Sequence, residues 1–171
     1  MDEHRVGLKP VLRRQWAPKG ERPIACAAPG YEWLYLYAFV RPATGQVVWF
    51  LCNRVNTPLF TAILASFARE VGAGPGKTVL VTLDNAGWHS SPQLIPPPGV
   101  RLCFLPAYTP ELQPAERLWP LTNEAIANRG FATLDELDAA LVERCRRLDE
   151  QPDRIKALTR YAWWPEVING N

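Results

Sequence analysis

Two apolar runs rich in aromatic and β-branched residues, Tyr31 to Val40 (YEWLYLYAFV) and Gly45 to Cys52 (GQVVWFLC), stand close together in the chain. The turn-forming Arg41-Pro-Ala-Thr-Gly45 joins them, and the pair predicts an antiparallel hairpin. Asn56 or Thr57 then caps a helix that Pro58 opens. Its apolar positions Phe60, Ile63, Leu64, Phe67, Ala68 and Val71 keep helical spacing, and Gly72-Ala-Gly-Pro-Gly76 stops it. Two short strands follow, Lys77 to Leu83 (KTVLVTL) and Val100 to Leu105. Between them Ser90, Ser91 and Pro92 are placed to cap a short helix, while Pro96-Pro97-Pro98-Gly99 forbids regular structure. Thr133-x-x-Glu136 is a capping box, and it opens an amphipathic helix with Leu134, Leu137, Leu141, Val142 and Cys145 inward. The tail toward Asn171, with Trp163-Trp164-Pro165, is expected to form a short helix and a docked aromatic flap.

Two acids stand at special points of this pattern. The strand Lys77 to Leu83 ends on Asp84-Asn85, which places a carboxylate at a sheet edge. The stretch Leu105 to Trp119 (LPAYTPELQPAERLW) leaves the last strand through Pro106, Pro110 and Pro114, a stiff path that is neither helix nor central strand. Pro114 suits the first position of a helix, so Glu116 falls in its first turn, where the helix dipole favours a carboxylate. Pro120 predicts a kink or a restart just beyond. An acid held this way suits a metal ligand or a catalytic group.

Composition bounds the reading. A chain of 171 residues, 47% of them hydrophobic, is one domain's worth of sequence. No apolar run approaches the length of about 18 residues that a membrane span needs, and no signal peptide is visible, so a cytoplasmic protein is expected. Cys26, Cys52, Cys103 and Cys145 lie far apart and read as structural thiols. The net charge is +2, but Arg5, Lys9, Arg13, Arg14, Lys19 and Arg22 gather around Trp16 with Glu21 the one acid among them. A basic segment with an aromatic inside it can track a phosphate backbone, or can serve as a solvated hairpin edge. The segment GAGPGKT from Gly72 to Thr78 hints at a phosphate loop. Its first glycine is misplaced, and it follows a helix and opens a strand, so it is a turn.

With an early Asp2-Glu3, the motifs LDNAGWH and LPAYTPELQPAERLW resemble the DDE transposases of the Tc/mariner superfamily, in particular the bacterial insertion-sequence (six-thirty group) branch. The resemblance implies an RNase H-like α/β fold, a mixed β-sheet flanked by helices. It implies Asp2, Asp84 and Glu116 as catalytic acids and as ligands of a two-metal site for Mg²⁺ or Mn²⁺, with Asn85 and His89 placed either to order the loop, the commoner use of a lone histidine, or to contact a phosphate as DNA-contact candidates beside the basic segment. It also implies metal-dependent DNA strand cleavage and strand transfer in transposition, acting on inverted-repeat ends and target DNA as a homodimer. Only Met1 precedes Asp2, so the first strand is expected to be largely truncated and the family's amino-terminal helix-turn-helix absent.

Weaker expectations attach to the neighbours. Glu3 points away from Asp2 if the strand persists and is not expected to be a ligand. Glu111 fixes the turn before Pro114, and Trp119 packs under the Glu116 helix. Two other readings stay open: an inactive remnant that only binds DNA or a partner subunit, and another RNase H-like nuclease.

Overall fold

The computed structural model describes residues 1–22, 24 and 30–161. The hairpin forms as the pattern predicts: β2 (Trp33–Arg41) pairs antiparallel with β3 (Gln46–Cys52), and on its other side β2 pairs antiparallel with β1 (Asp2–Gly7). Gly45 makes the hairpin turn at a φ of 76°, and a Cβ there would collide with the Pro152 carbonyl, so only glycine serves. The strands β4 (Val79–Leu83) and β5 (Val100–Phe104) form a separate parallel pair. One hydrogen bond, from the Met1 α-amino group to the Thr82 carbonyl at 2.6 Å, ties the start of β1 to β4.

The central strand is apolar from Trp33 to Val40 because both its faces are covered. Tyr37 and Phe39 face α1 (Thr57–Glu70), where they pack with Phe60, Ile63, Leu64 and Phe67, and with Val81 and Leu83 of β4. Leu36 and Ala38 face the other way. They meet Ala115, Leu118 and Trp119, together with Cys145 and Leu148 of α3 (Leu134–Asp149) and Ile155 of α4 (Pro152–Thr159). A third apolar cluster joins Val6, Leu8 and Leu34 to Ile126, Phe131, Leu137 and Leu141. Burying each such Leu or Phe is worth about 1.5–3 kcal/mol. The result is an α/β molecule with helices on both faces of its sheets.

The caps behave as their residues dictate. Asn56 Oδ1 accepts from the Leu59 N–H at 2.8 Å, and Thr133 Oγ1 accepts from the Glu136 N–H at 3.3 Å. Glu136 returns its bond to the Ala132 N–H at 2.9 Å rather than to the cap residue itself. Lys77 Nζ donates to the Val71 carbonyl, closing the Gly72–Gly76 turn.

Several expectations need correction. β1 runs six residues and pairs with β2 at every one, so the strand follows Asp2 where one leading up to it was expected. Residues 87–93 hold turns and no helix, because Ser90 and Ser91 spend their hydroxyls on local turn bonds. The proline-rich stretch winds as two 3₁₀ turns, Pro110–Leu112 and Pro114–Leu118, before a short α2 (Trp119–Asn123) begins with Pro120 in its first turn. The restart at Pro120 is thus observed, and the helix ends at Asn123. On α3, Val142 is exposed and Leu148 is buried, because the inward stripe drifts round the helix along its length. The basic segment is no hairpin edge: beyond β1 it is irregular and outward, although Arg13 exchanges backbone bonds with the Asn128 side chain. The short terminal helix is α4, whereas Trp163-Trp164-Pro165 and Cys26 lie outside the described residues. Cys52, Cys103 and Cys145 carry free thiols.

Candidate active site

Alternation along β1 sends its first two acids to opposite faces, as expected. On the face of Asp2, Trp119 Nε1 donates to Asp2 Oδ2 at 3.0 Å. His4, two residues on, stacks on the same indole with ring centroids 5.1 Å apart and bonds Asn123 Oδ1 through Nε2 at 3.0 Å. Burial lowers the His4 pKa, against the raising effects of Asn123 and Glu116.

The 3₁₀ winding matters here. At three residues per turn it sets Glu116 one turn before Trp119, and Asp2 feels the Glu116 charge as well as accepting the Trp119 bond. Burial pushes the Asp2 carboxyl from its ordinary 3.8 up to about 7, and the facing Glu116 adds to that push, while the Trp119 bond opposes it. Asp2 is therefore a buried carboxyl that feels a second carboxylate. Gln113 Nε2 donates to the Met1 carbonyl at 2.7 Å, clamping the start of β1 onto the loop that delivers Glu116. Gln113 is 4% exposed, and its clamp was not anticipated. Long-range partners of a glutamine leave no local pattern.

Asp84 stands just past the end of β4, with its side chain 57% exposed. Its Oδ1 accepts from the Ala86 N–H at 3.1 Å and from His89 Nδ1 at 2.7 Å. Asn85 Nδ2 donates to the Leu105 carbonyl at 2.7 Å and so orders the ends of β4 and β5 together. His89 is buried, at 1% exposed, and packs on Phe60, which removes it from the DNA-contact candidates. Its second nitrogen, Nε2, lies 3.3 Å from Glu3 Oε2, close but not aligned as a hydrogen bond. Trp88 Nε1 holds the other oxygen of Glu3 at 2.6 Å. Burial would lower the His89 pKa, but Glu3 and then Asp84 outweigh it, and the pKa is raised. Glu3 thus takes part in the site through His89 on the face away from Asp2.

The acids share one end of the molecule. The Met1 α-amino group feels Asp2, Glu3 and Asp84, although burial still draws it down to about 6. Among the described residues, however, no three Asp, Glu, His or Cys side chains surround a common point in the manner of an assembled metal centre. Asp84 turns toward His89, while Asp2 accepts from Trp119 and feels the charge of Glu116. Of the cations expected to meet DNA, Arg5 lies over the Trp33 ring at 4.4 Å and Arg13 donates to the Pro120 carbonyl at 2.7 Å. Lys9, Arg14, Lys19 and Arg22 are exposed, as is Trp16.

A family model described as DDE superfamily endonuclease matches residues 1–138, a span that holds all three acids. The chain belongs to that family. An uncharacterized protein, y4pE/y4sA of Sinorhizobium fredii, is 31% identical over 132 residues, covering 77% of this chain and 96% of that protein. An insertion element IS630 uncharacterized 39 kDa protein of Shigella sonnei is 26% identical over 133 residues, or 73% of this chain and 37% of that protein. Among solved structures, the mariner Mos1 paired end complex with Mg superposes with a TM-score of 0.58 at 17% identity, covering 94% of this chain and 55% of the other. The Mos1 strand transfer complex gives 0.55 at 19% identity, covering 94% and 54%. This DDE endonuclease chain therefore shares the RNase H-like fold of those transposases and spans about half the length of the Mos1 chains it matches. No helix among the described residues is long and apolar enough to cross a membrane.

Proposed function

We propose that this DDE endonuclease domain is the catalytic domain of a transposase that cleaves and rejoins phosphodiester bonds, with Asp2, Asp84 and Glu116 as its acids. The observation that carries the reading is the pairing of Asp2 with Glu116. Burial and a second carboxylate raise Asp2 to about 7, an arrangement that costs stability and is relieved by a bound cation. The donors are carboxylate oxygens, which suit hard divalent ions such as Mg²⁺ or Mn²⁺. Asp2, Asp84 and Glu116 would hold such ions. When bound, a pair of these ions activates a water or hydroxyl nucleophile and stabilises the leaving oxygen.

The chain's own residues do the positioning. Trp119 fixes Oδ2 of Asp2 and favours its ionised form. Gln113 ties the Asp2 strand to the Glu116 turn, and Asn85 ties the Asp84 loop to the end of β5. The exposed cations Lys9, Arg14, Lys19 and Arg22, with Trp16 among them, supply a surface for the DNA backbone. The likeness to Mos1 complexes, which contain a left transposon end, Mn or Mg, supports transposon ends as substrate, these metals as cofactors and a paired, homodimeric assembly. The test is nicking of DNA carrying the element's ends in Mg²⁺ or Mn²⁺. Activity in the wild type that is lost in Asp84→Asn and Glu116→Gln supports the reading. Equal nicking by all three proteins contradicts it.

A further inference from the structure

Glu3 and His89 are acidic and basic groups buried at the heart of the molecule, yet neither belongs to the three acids above. Their geometry has a direction. Trp88 Nε1 donates to Glu3 Oε1 at 2.6 Å and anchors that carboxylate from one side. Glu3 Oε2 lies 3.3 Å from His89 Nε2, and the opposite ring nitrogen, Nδ1, reaches Asp84 Oδ1 at 2.7 Å. The Glu3 side chain is 9% exposed, His89 0% and Asp84 57%, so the line runs from the interior to the surface and ends on the acid. The ring cannot swing away, because Phe60 packs against it with centroids 4.4 Å apart and Trp88 meets it edge-on at 5.8 Å.

We infer that Glu3 and His89 are positioning residues for Asp84, which set the orientation of its carboxylate and reserve one of its two oxygens for a divalent cation. The inference rests on Asp84 being a metal ligand. Oδ1 receives both the Ala86 N–H and His89 Nδ1, whereas Oδ2 takes no hydrogen bond among the described residues. Two donors on one oxygen fix the rotation of the carboxylate plane and direct the other oxygen to solvent. Glu3 in turn lies against the Nε2 edge of the imidazole and keeps the Nδ1 edge turned toward Asp84, the kind of outer-shell support that fixes ring orientation beside metal sites. His89 touches neither metal nor substrate in this scheme; it acts through Asp84.

Substitutions that separate the two ring nitrogens test this. Asn places an amide near the position of Nδ1, and Gln places one near Nε2. Mn²⁺ affinity is read from the loss of the free-ion electron paramagnetic resonance signal, on the full 171-residue chain, for the wild type, Asp84→Asn, His89→Asn, His89→Gln and Glu3→Gln. The expected result is tight binding by the wild type, loss in Asp84→Asn, weakening of about 10–100-fold in His89→Gln and recovery toward wild type in His89→Asn. Glu3→Gln should weaken binding in the same direction as His89→Gln.

Both His89 variants remove the same ring from the core, so a role in packing alone would lower their melting temperatures together and leave their Mn²⁺ affinities alike. Equal affinities in His89→Asn and His89→Gln overturn the inference, whether both are lost or both are kept. A second readout needs no metal. The chain has two histidines, so selective ¹⁵N labelling should show a protected Nδ1–H on His89 that disappears in Asp84→Asn. A wild type that does not bind Mn²⁺, or an Asp84→Asn protein that binds as the wild type does, would instead bring down the metal reading of Asp84 and this inference with it.

Discussion

The indole of Trp119 donates to Asp2 Oδ2 across 117 residues of sequence, and with a smaller backbone hydrogen bond from Glu3 it works to keep Asp2 ionised against burial and Glu116. Trp119→Phe keeps most of the apolar contact and removes the donor. A hydrogen bond to a charged group is worth roughly 1.5–3 kcal/mol. The Asp2 pKa should therefore rise by about one further unit, equivalent to about 1.4 kcal/mol. Carboxyl ¹³C titration of Asp2 reads this directly, and an unchanged midpoint would show the indole to be mere packing.

Asp2 also predicts how stability varies with pH. Its folded-state value of about 7 lies above the ordinary 3.8, so the folded chain binds this proton more tightly than the unfolded one. The stability so gained is whole below pH 3.8 and is lost as pH rises through about 7. The raised pKa of His89 acts in the same sense, its contribution being whole below 6.5 and lost as pH passes the folded value. Asp2→Asn should flatten the first of these slopes and make the metal-free protein more stable at pH 8, on the order of a few kcal/mol. Melting temperatures of both proteins between pH 4 and pH 8 check the sign.

Gly45→Ala should be strongly destabilising for its size. The position has a φ of 76°, and the added methyl meets the Pro152 carbonyl, so hairpin and α4 must part. A loss of about 1–3 kcal/mol or more is expected in urea unfolding. A neutral result would mean that α4 does not dock on the turn.

Gln113→Leu removes the donor to the Met1 carbonyl while keeping the volume buried. The stranded acceptor should cost about 1–3 kcal/mol. Because the clamp aligns Asp2 with Glu116, Mn²⁺ affinity should fall as well. Lost stability with unchanged metal binding would confine Gln113 to a structural part.

Much of this was legible because the signals are local. The apolar spacing from Phe60 to Ala68, the Asn56 cap, the Thr133 box and the two runs around Gly45 each depend on residues a few positions apart, and each forms as expected. Asp84 at the end of its strand and Glu116 behind three prolines were legible for the same reason. The role of Glu3 was not. Alternation shows that it faces away from Asp2, but only the fold brings in Trp88 and His89 from 85 and 86 residues further along the chain. For the same reason the sequence left His89 open between ordering the loop and contacting a phosphate, and the fold buries it against Asp84. The 3₁₀ winding at Pro114–Leu118 was also hidden, since proline spacing permits both helix types and packing against β2 decides between them.

The central claim is that Asp2, Asp84 and Glu116 form one cation site, and the most direct measurement is thermal unfolding of the chain with and without Mn²⁺, beside Asp84→Asn and Glu116→Gln. Saturation at about 100 times the dissociation constant should add roughly 2.7 kcal/mol to the stability of the wild type. The account predicts a cooperative transition that Mn²⁺ raises in the wild type and leaves unmoved in both variants. A cooperative transition indifferent to Mn²⁺ in all three proteins, or raised equally in all three, would contradict it.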